Sequence, residues 1–100
     1  MILHTVNKSS FEHNTFDRCL AYADGTSAIV LIEDGVYCGL NASLSTERIE
    51  QLSKGVQLYG LSVDIDARGL RDGMHPLLQI IDDRSFVRLC TQFDSIQTWF

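Results

Sequence analysis

Residues 28–35 have the sequence AIVLIEDG, and this stretch decides the fold class. Its first five side chains are all apolar, which is typical of a strand that is buried on both faces of a sheet. Glu33, Asp34 and Gly35 then end the strand in a turn, where glycine supplies the unusual backbone dihedrals. A strand covered on both faces needs helices on both sides, so this stretch predicts an α/β fold.

Apolar runs and helical periods alternate along the rest of the chain. Further strands are predicted over residues 1–6, 56–61, 77–81 and 96–100, while residues 36–40 fit either a short helix or an extended piece. Helices are predicted over residues 12–23 and 62–69. A further helix should begin at a cap on Ser45 or Thr46 and end near Lys54, and a last one should begin at a cap on Asp82 or Asp83. We therefore predict a single domain over residues 1–100, a three-layer α/β sandwich with a mainly parallel sheet of about five strands, flavodoxin-like or Rossmann-like.

The charge pattern argues against nucleic acid as a direct partner. The net charge is −5, and the eight basic residues are scattered along the chain instead of forming a basic stripe. No apolar run reaches the roughly 20 residues that span a membrane. The N-terminus also lacks the pattern of a secretory signal. We expect a soluble, cytoplasmic protein.

Known cofactor motifs are missing from the sequence. It contains neither a Gly-x-Gly-x-x-Gly fingerprint nor a Walker-type loop, and its histidines and cysteines do not have zinc-site spacing. Glu33 and Asp34 could ligate magnesium, but an acidic turn in solvent is the favoured interpretation. A ligand or acid–base role for His4 is a minor alternative. We expect no metal and no cofactor.

The interpretation of function depends on whether any of the three cysteines is reactive. An odd number without an export signal indicates reduced thiols, and no Cys-x-x-Cys pair is present. Cys19 falls on a helical stripe with Phe16 and Leu20, so the pattern favours a core thiol. Cys90 lies on a similar stripe. Cys38, beside a glycine near a strand end, could be exposed, but no basic residue is near it in the sequence.

Five parts of the chain, in this order and spacing, carry a family resemblance. They are ILHTVNKS at 2–9, EDGVY at 33–37, DIDARGL at 64–70, FV at 86–87 and Trp99. On these segments the chain resembles the DsrH/TusB family of sulfur-relay proteins, from end to end. The resemblance implies a DsrE-like α/β fold.

The same resemblance implies partners. Proteins of this family assemble with DsrE/TusD-like and DsrF/TusC-like subunits into a heterohexamer, which passes persulfide sulfur to a DsrC/TusE-like acceptor. In the Dsr branch the relay serves sulfur oxidation, and in the Tus branch it serves 2-thiolation of the wobble uridine of tRNA. The principal sulfur-carrying cysteine of these complexes is on the DsrE/TusD subunit.

Cys19 matches the cysteine that DsrH-type members carry in the first helix. The match makes Cys19 the candidate persulfide carrier and favours the Dsr branch. Two alternatives stay open: a TusB-like subunit for tRNA thiolation, and a scaffold subunit of either complex that uses no thiol of its own. A carrier thiol must be accessible and have a depressed pKa. His13 could stabilise a thiolate, but it lies almost two helical turns from Cys19.

Overall fold

The structure is a computed structural model that describes residues 1–9, 14–41, 46–52 and 55–100. Its strands are Ile2–Val6 (β1), Ala28–Leu31 (β2), Gln57–Leu61 (β3), Leu78–Ile81 (β4) and Ser95–Trp99 (β5). Its α-helices are Thr15–Tyr22 (α1), Thr46–Glu50 (α2), Ser62–Ala67 (α3) and Asp83–Gln92 (α4). Two 3₁₀ helices cover Glu33–Gly39 and Arg71–Gly73. The predicted helix boundaries at Glu12, Ser45 and Lys54 lie outside the described residues.

The five strands form one parallel sheet in the order β4-β3-β2-β1-β5. The chain steps from β1 to β4 in one direction and then returns past β1 to add β5. Because crossovers between parallel strands are right-handed, the connections from β1 to β4 cover one sheet face and α4 covers the other. This confirms the predicted α/β class with its mainly parallel five-stranded sheet. The strand order differs from the 2-1-3-4-5 order of flavodoxin itself.

Strand β2 divides the core as its sequence predicts. Ile29 and Leu31 pack into the cluster under α1, α2, α3 and the first 3₁₀ helix, whereas Ala28 and Val30 pack under α4. The first cluster is the larger of the two, and it also contains Phe16 from α1. The strand is fully buried because helices cover both of its faces.

Two local predictions are resolved by the structure. Residues 36–40, which the sequence left ambiguous, belong mostly to the first 3₁₀ helix, and this helix already begins at Glu33. Asp82 is the N-cap of α4, since its side chain accepts a hydrogen bond from the backbone N–H of Ser85 at 2.8 Å. The second 3₁₀ helix, Arg71–Gly73, was not predicted.

Candidate functional site

Three of the segments that carry the family resemblance meet at the carboxyl edge of the sheet. The backbone N–H of Glu33 donates to the Asp64 carboxylate at 2.8 Å. Arg68 then donates from Nε and Nη2 to Oδ1 of Asp34, at 3.1 and 3.0 Å. Its Nη1 also donates to the backbone oxygen of Asp64 at 3.1 Å. These bonds join the first 3₁₀ helix to α3, at the edge where parallel α/β sheets usually hold their sites.

The first 3₁₀ helix also lies directly against the end of β1. A Cβ at Gly35 would be 2.7 Å from the carbonyl carbon of Val6 and 3.2 Å from Cα of Asn7. Backbone atoms cannot give way to such a contact, so only glycine fits this position. One turn later, the Cys38 thiol donates to the backbone oxygen of Lys8 at 3.3 Å. The segment 33–37 thus packs against the segment 2–9.

Cys19 lies in the core beneath this junction. Its side chain is 0% exposed and packs in the cluster that contains Phe16, Val36 and Cys38. Burial, with a smaller contribution from the neighbouring Cys38 thiol, raises the pKa of the Cys19 thiol to about 12. At pH 7 the Cys19 side chain is therefore in the thiol form and not the reactive thiolate.

The surroundings of Cys19 supply no compensating cation among the described residues. Arg18 is its neighbour in sequence, but the guanidinium points away and donates to the backbone oxygen of Phe100 at 3.5 Å. His13, the other candidate to stabilise a thiolate, lies outside the described residues. In this conformation Cys19 has neither the access nor the depressed pKa that sulfur transfer needs.

The other two cysteines lie in different environments. The sequence allowed Cys38 to be exposed, but it is as fully buried as Cys19, because the 3₁₀ helix turns the thiol inward under the loop after β1. Cys90 is half-buried and packs with the α4 stripe, as its spacing predicts. No cysteine in the described part of the chain is classed as exposed.

His4 takes part in an aromatic contact that the sequence did not reveal. Trp99 donates from its indole Nε1 to Nδ1 of His4 at 3.0 Å, and the Tyr22 ring lies 5.5 Å from the Trp99 ring. Since Nδ1 accepts, a neutral His4 carries its proton on Nε2, which is buried and has no hydrogen-bond partner. Burial lowers the pKa of His4, and the Asp24 carboxylate opposes this in part. The imidazole joins β1 to β5 and is not placed for acid–base chemistry.

His75 is a second buried imidazole that sequence analysis missed. Its Nδ1 accepts from the backbone N–H of Leu77 at 3.1 Å, and its Nε2 faces the Glu50 carboxylate at 3.4 Å. Both ring nitrogens are therefore engaged, and His75 holds the approach to β4 against α2. A cleft of about 370 Å³ lies nearby, between Ile49, Glu50 and Leu77, at the amino edge of the sheet.

Neither a metal-ligand cluster nor a membrane-spanning helix is found among the residues that the structure describes. The histidines, cysteines and carboxylates placed by the structure form no group that could hold a metal ion. Asp34, a weak candidate for magnesium, is paired with Arg68 at 3.0 Å. None of the helices that the structure describes is long and apolar enough to cross a membrane.

At the carboxyl edge, the described residues of this α/β subunit are joined by an ion pair and backbone hydrogen bonds, and the Cys19 and Cys38 thiols near them are buried. The chain belongs to the DsrH/TusB family of sulfur-relay proteins: the family model described as DsrH like protein matches residues 8–96. This confirms the resemblance drawn from the sequence.

Curated relatives named Protein TusB match the whole chain. The one from Photorhabdus laumondii is 33% identical over 100 residues, covering 98% of this chain and all of the relative. The one from Pectobacterium parmentieri is 32% identical over 98 residues, with the same coverage. These names fit the TusB alternative better than the Dsr branch that Cys19 favoured, and the Dsr branch has no specific support.

Two solved structures share the fold. The ychN protein from E. coli has a TM-score of 0.82 at 14% identity and covers 97% of both chains. Protein Tm0979 from Thermotoga maritima has a TM-score of 0.69 at 22% identity, over 92% of this chain and 93% of that one. At these identities the likeness establishes the fold alone.

Proposed function

We propose that this chain is a TusB-type subunit of a cytoplasmic sulfur-relay complex, and that it serves the complex as a scaffold. The relatives named TusB match from end to end, which supports the Tus relay over the Dsr relay. The partners would be TusC-like and TusD-like subunits and a TusE-like sulfur acceptor. The product of the relay would be the 2-thio group of a tRNA wobble uridine.

The scaffold role is supported by the positions of the residues that carry the family resemblance. Gly35, Asp34, Asp64 and Arg68 join three segments of the chain to one another, and none of them presents a nucleophile. Trp99 likewise joins the last strand to the first through His4. Residues that hold elements together fix the shape of a subunit, which is what an assembly partner recognises.

Cys19 as a persulfide carrier is the competing hypothesis. A carrier must accept a sulfane sulfur on its thiolate and present it to a second thiolate. Association with other subunits adds burial and does not remove it, so a carrier role would require α1 to move away from the sheet. Phe16 is 1% exposed on the same helix face, and lifting it would expose a large apolar side chain to water.

The test is complementation in a bacterium that lacks its own TusB. The chain is expressed there, and 2-thiouridine in tRNA is measured by nucleoside mass spectrometry. We expect the wild type to restore thiolation, and Cys19→Ser and Cys19→Ala to restore it equally. Two Cys19 replacements are used because serine places a hydroxyl in the core, whereas alanine leaves a small void.

Each contrary outcome has its own meaning. No thiolation with the wild type, although it assembles with the TusC and TusD chains, refutes the tRNA function. Loss of thiolation in both Cys19 variants, with the complex intact, refutes the scaffold role and makes Cys19 a carrier.

A further inference from the structure

Two aromatic side chains protrude from the surface where α1 meets the end of β5. Tyr22 and Phe100 are 73% and 74% exposed, more than any other large apolar side chain that the structure describes. Arg18 lies one helical turn before Tyr22 and donates to the backbone oxygen of Phe100 at 3.5 Å. Together with the half-buried Trp99, these residues form what we call the α1–β5 face. Arginine, tyrosine and tryptophan are the residues most enriched in the hot spots of protein interfaces.

The aromatic rings of this face are held in place by a buried contact. The Trp99 indole donates to the His4 imidazole at 3.0 Å, and the Tyr22 ring lies 5.5 Å from the Trp99 ring. This bond leaves Nε2 of His4 buried without a partner, which costs free energy. Side chains that are ordered beforehand lose little entropy when a partner packs on them. The α1–β5 face is therefore organised for contact before any partner arrives.

Arg18 gives this face an uncompensated positive charge. In the part of the chain that the structure describes, its guanidinium forms no ion pair, and its hydrogen bond to Phe100 is long. The described carboxylates nearest to the face in sequence all have partners within the chain: Asp17 pairs with Arg48, Asp94 pairs with the Met1 amine, and Asp24 accepts from Thr26 and Ser27. A molecule that binds this face should bring a carboxylate of its own.

This charge pattern distinguishes between the possible occupants. In a two-fold contact the face of one copy meets the same face of the other, so each Arg18 would need a free carboxylate within that face. The described carboxylates next to the face are already paired, which disfavours a second copy of this chain. Nucleic acid is also disfavoured, because it requires a basic stripe and the net charge is −5. An unlike protein with an acidic and apolar segment suits both the cation and the rings.

We propose that the α1–β5 face binds an unlike subunit of the relay, through a segment of that subunit that places a carboxylate beside an apolar side chain. The carboxylate pairs with the Arg18 guanidinium, whose geometry allows two parallel hydrogen bonds. The apolar side chain packs on the Tyr22 and Phe100 rings and removes them from water. The inference rests on the proposed function for the identity of the subunit, and on the face itself for the chemistry of the contact.

The test is the dissociation constant between this chain and its purified TusC-like and TusD-like partners, measured by calorimetry or sedimentation. Tyr22→Ala removes a ring and Arg18→Glu reverses the charge, and each should raise the dissociation constant at least about tenfold. The matched controls are Val87→Ala and Arg84→Glu on α4, which covers the other face of the sheet. Both side chains are exposed, Val87 at 63%, and both controls should stay within about twofold of the wild type.

Salt separates the charge from the packing. Raising the NaCl concentration from about 0.05 M to about 0.5 M should weaken the wild-type complex, and it should weaken the Arg18→Gln complex much less. Arg18→Lys keeps the charge but loses the paired hydrogen bonds, so its affinity should lie between those of the wild type and Arg18→Glu. An Arg18→Gln complex with the same salt dependence as the wild type overturns the proposed ion pair.

The outcomes separate this inference from the proposed function. A wild type that binds neither partner refutes the proposed function and overturns this inference with it. A wild type that binds, with Tyr22→Ala and Arg18→Glu binding as tightly, overturns the inference and leaves the proposed function standing. So does a loss of affinity in the two α4 controls alone. A chain that dimerises by itself, or a complex that retains tRNA, and loses this property in Tyr22→Ala while assembly is unchanged, assigns the face to another occupant and also overturns the inference.

Discussion

Replacing Gly35 by alanine tests whether the segments that carry the family resemblance hold distant elements of the fold together. The added Cβ would lie 2.7 Å from the Val6 carbonyl carbon and nearer still to its oxygen. That oxygen already accepts from the backbone N–H of Ile32 at 3.0 Å, so moving β1 away would also strain this bond. We expect a loss of about 4 kcal/mol, above the usual cost of overpacking because the obstacle is backbone.

For a 100-residue domain such a loss is a large share of the total stability, which is about 5–15 kcal/mol. It corresponds to a fall in melting temperature of about 15–30 °C, measured by circular dichroism or calorimetry. Gly73→Ala is the matched control, since its Cβ would meet only the flexible end of Leu40 at 3.4 Å. A Gly35→Ala protein that melts within about 4 °C of the wild type would refute the reasoning.

Two further predictions concern the side chains that join distant elements. Burial lowers the pKa of His4 from its ordinary value of 6.5. As the pH falls below about 6.5, the unfolded chain therefore binds a proton at His4 that the folded chain does not, and the free energy of unfolding should decrease. The His4→Gln variant should show a smaller decrease. Thermal melts between pH 8 and 5 measure this, with the fluorescence of Trp99, the single tryptophan, as a second readout; an equal slope in the variant contradicts it. Arg68→Met removes the hydrogen bonds of Arg68 and should lower the free energy of unfolding, measured in urea, by about 1 kcal/mol. Arg71→Met, at a more exposed ion pair, should lower it by less. Equal losses in the two variants would show that Arg68 contributes no more than a surface ion pair.

Elements with a local cause were predictable from the sequence. The apolar run 28–32 predicts β2 because a strand buried on both faces needs no polar side. Asp82 predicts the start of α4, because a carboxylate at that position satisfies free backbone N–H groups. The stripe with Phe16 and Cys19 likewise predicted the buried face of α1.

What depends on distant contacts was not predictable. β5 pairs with β1 through residues such as Ser95 and Ile2, and the Trp99–His4 hydrogen bond joins residues 95 positions apart; neither contact leaves a local signal. The first 3₁₀ helix approaches β1 closely at Gly35 and Val6, a distant contact that the local sequence does not reveal, so residues 36–40 stayed ambiguous. Cys38 is buried for the same reason.

Persulfide loading of the assembled complex tests the central claim most directly. The chain is purified with its TusC-like and TusD-like partners, incubated with a persulfide donor, and analysed by peptide mass spectrometry without reductant. We predict that a one-sulfur mass gain is found on a partner subunit and not on the Cys19 peptide, because the Cys19 thiol is buried and its pKa is raised to about 12. A gain on the Cys19 peptide that is lost on reduction would contradict the scaffold role and show that this chain carries sulfur.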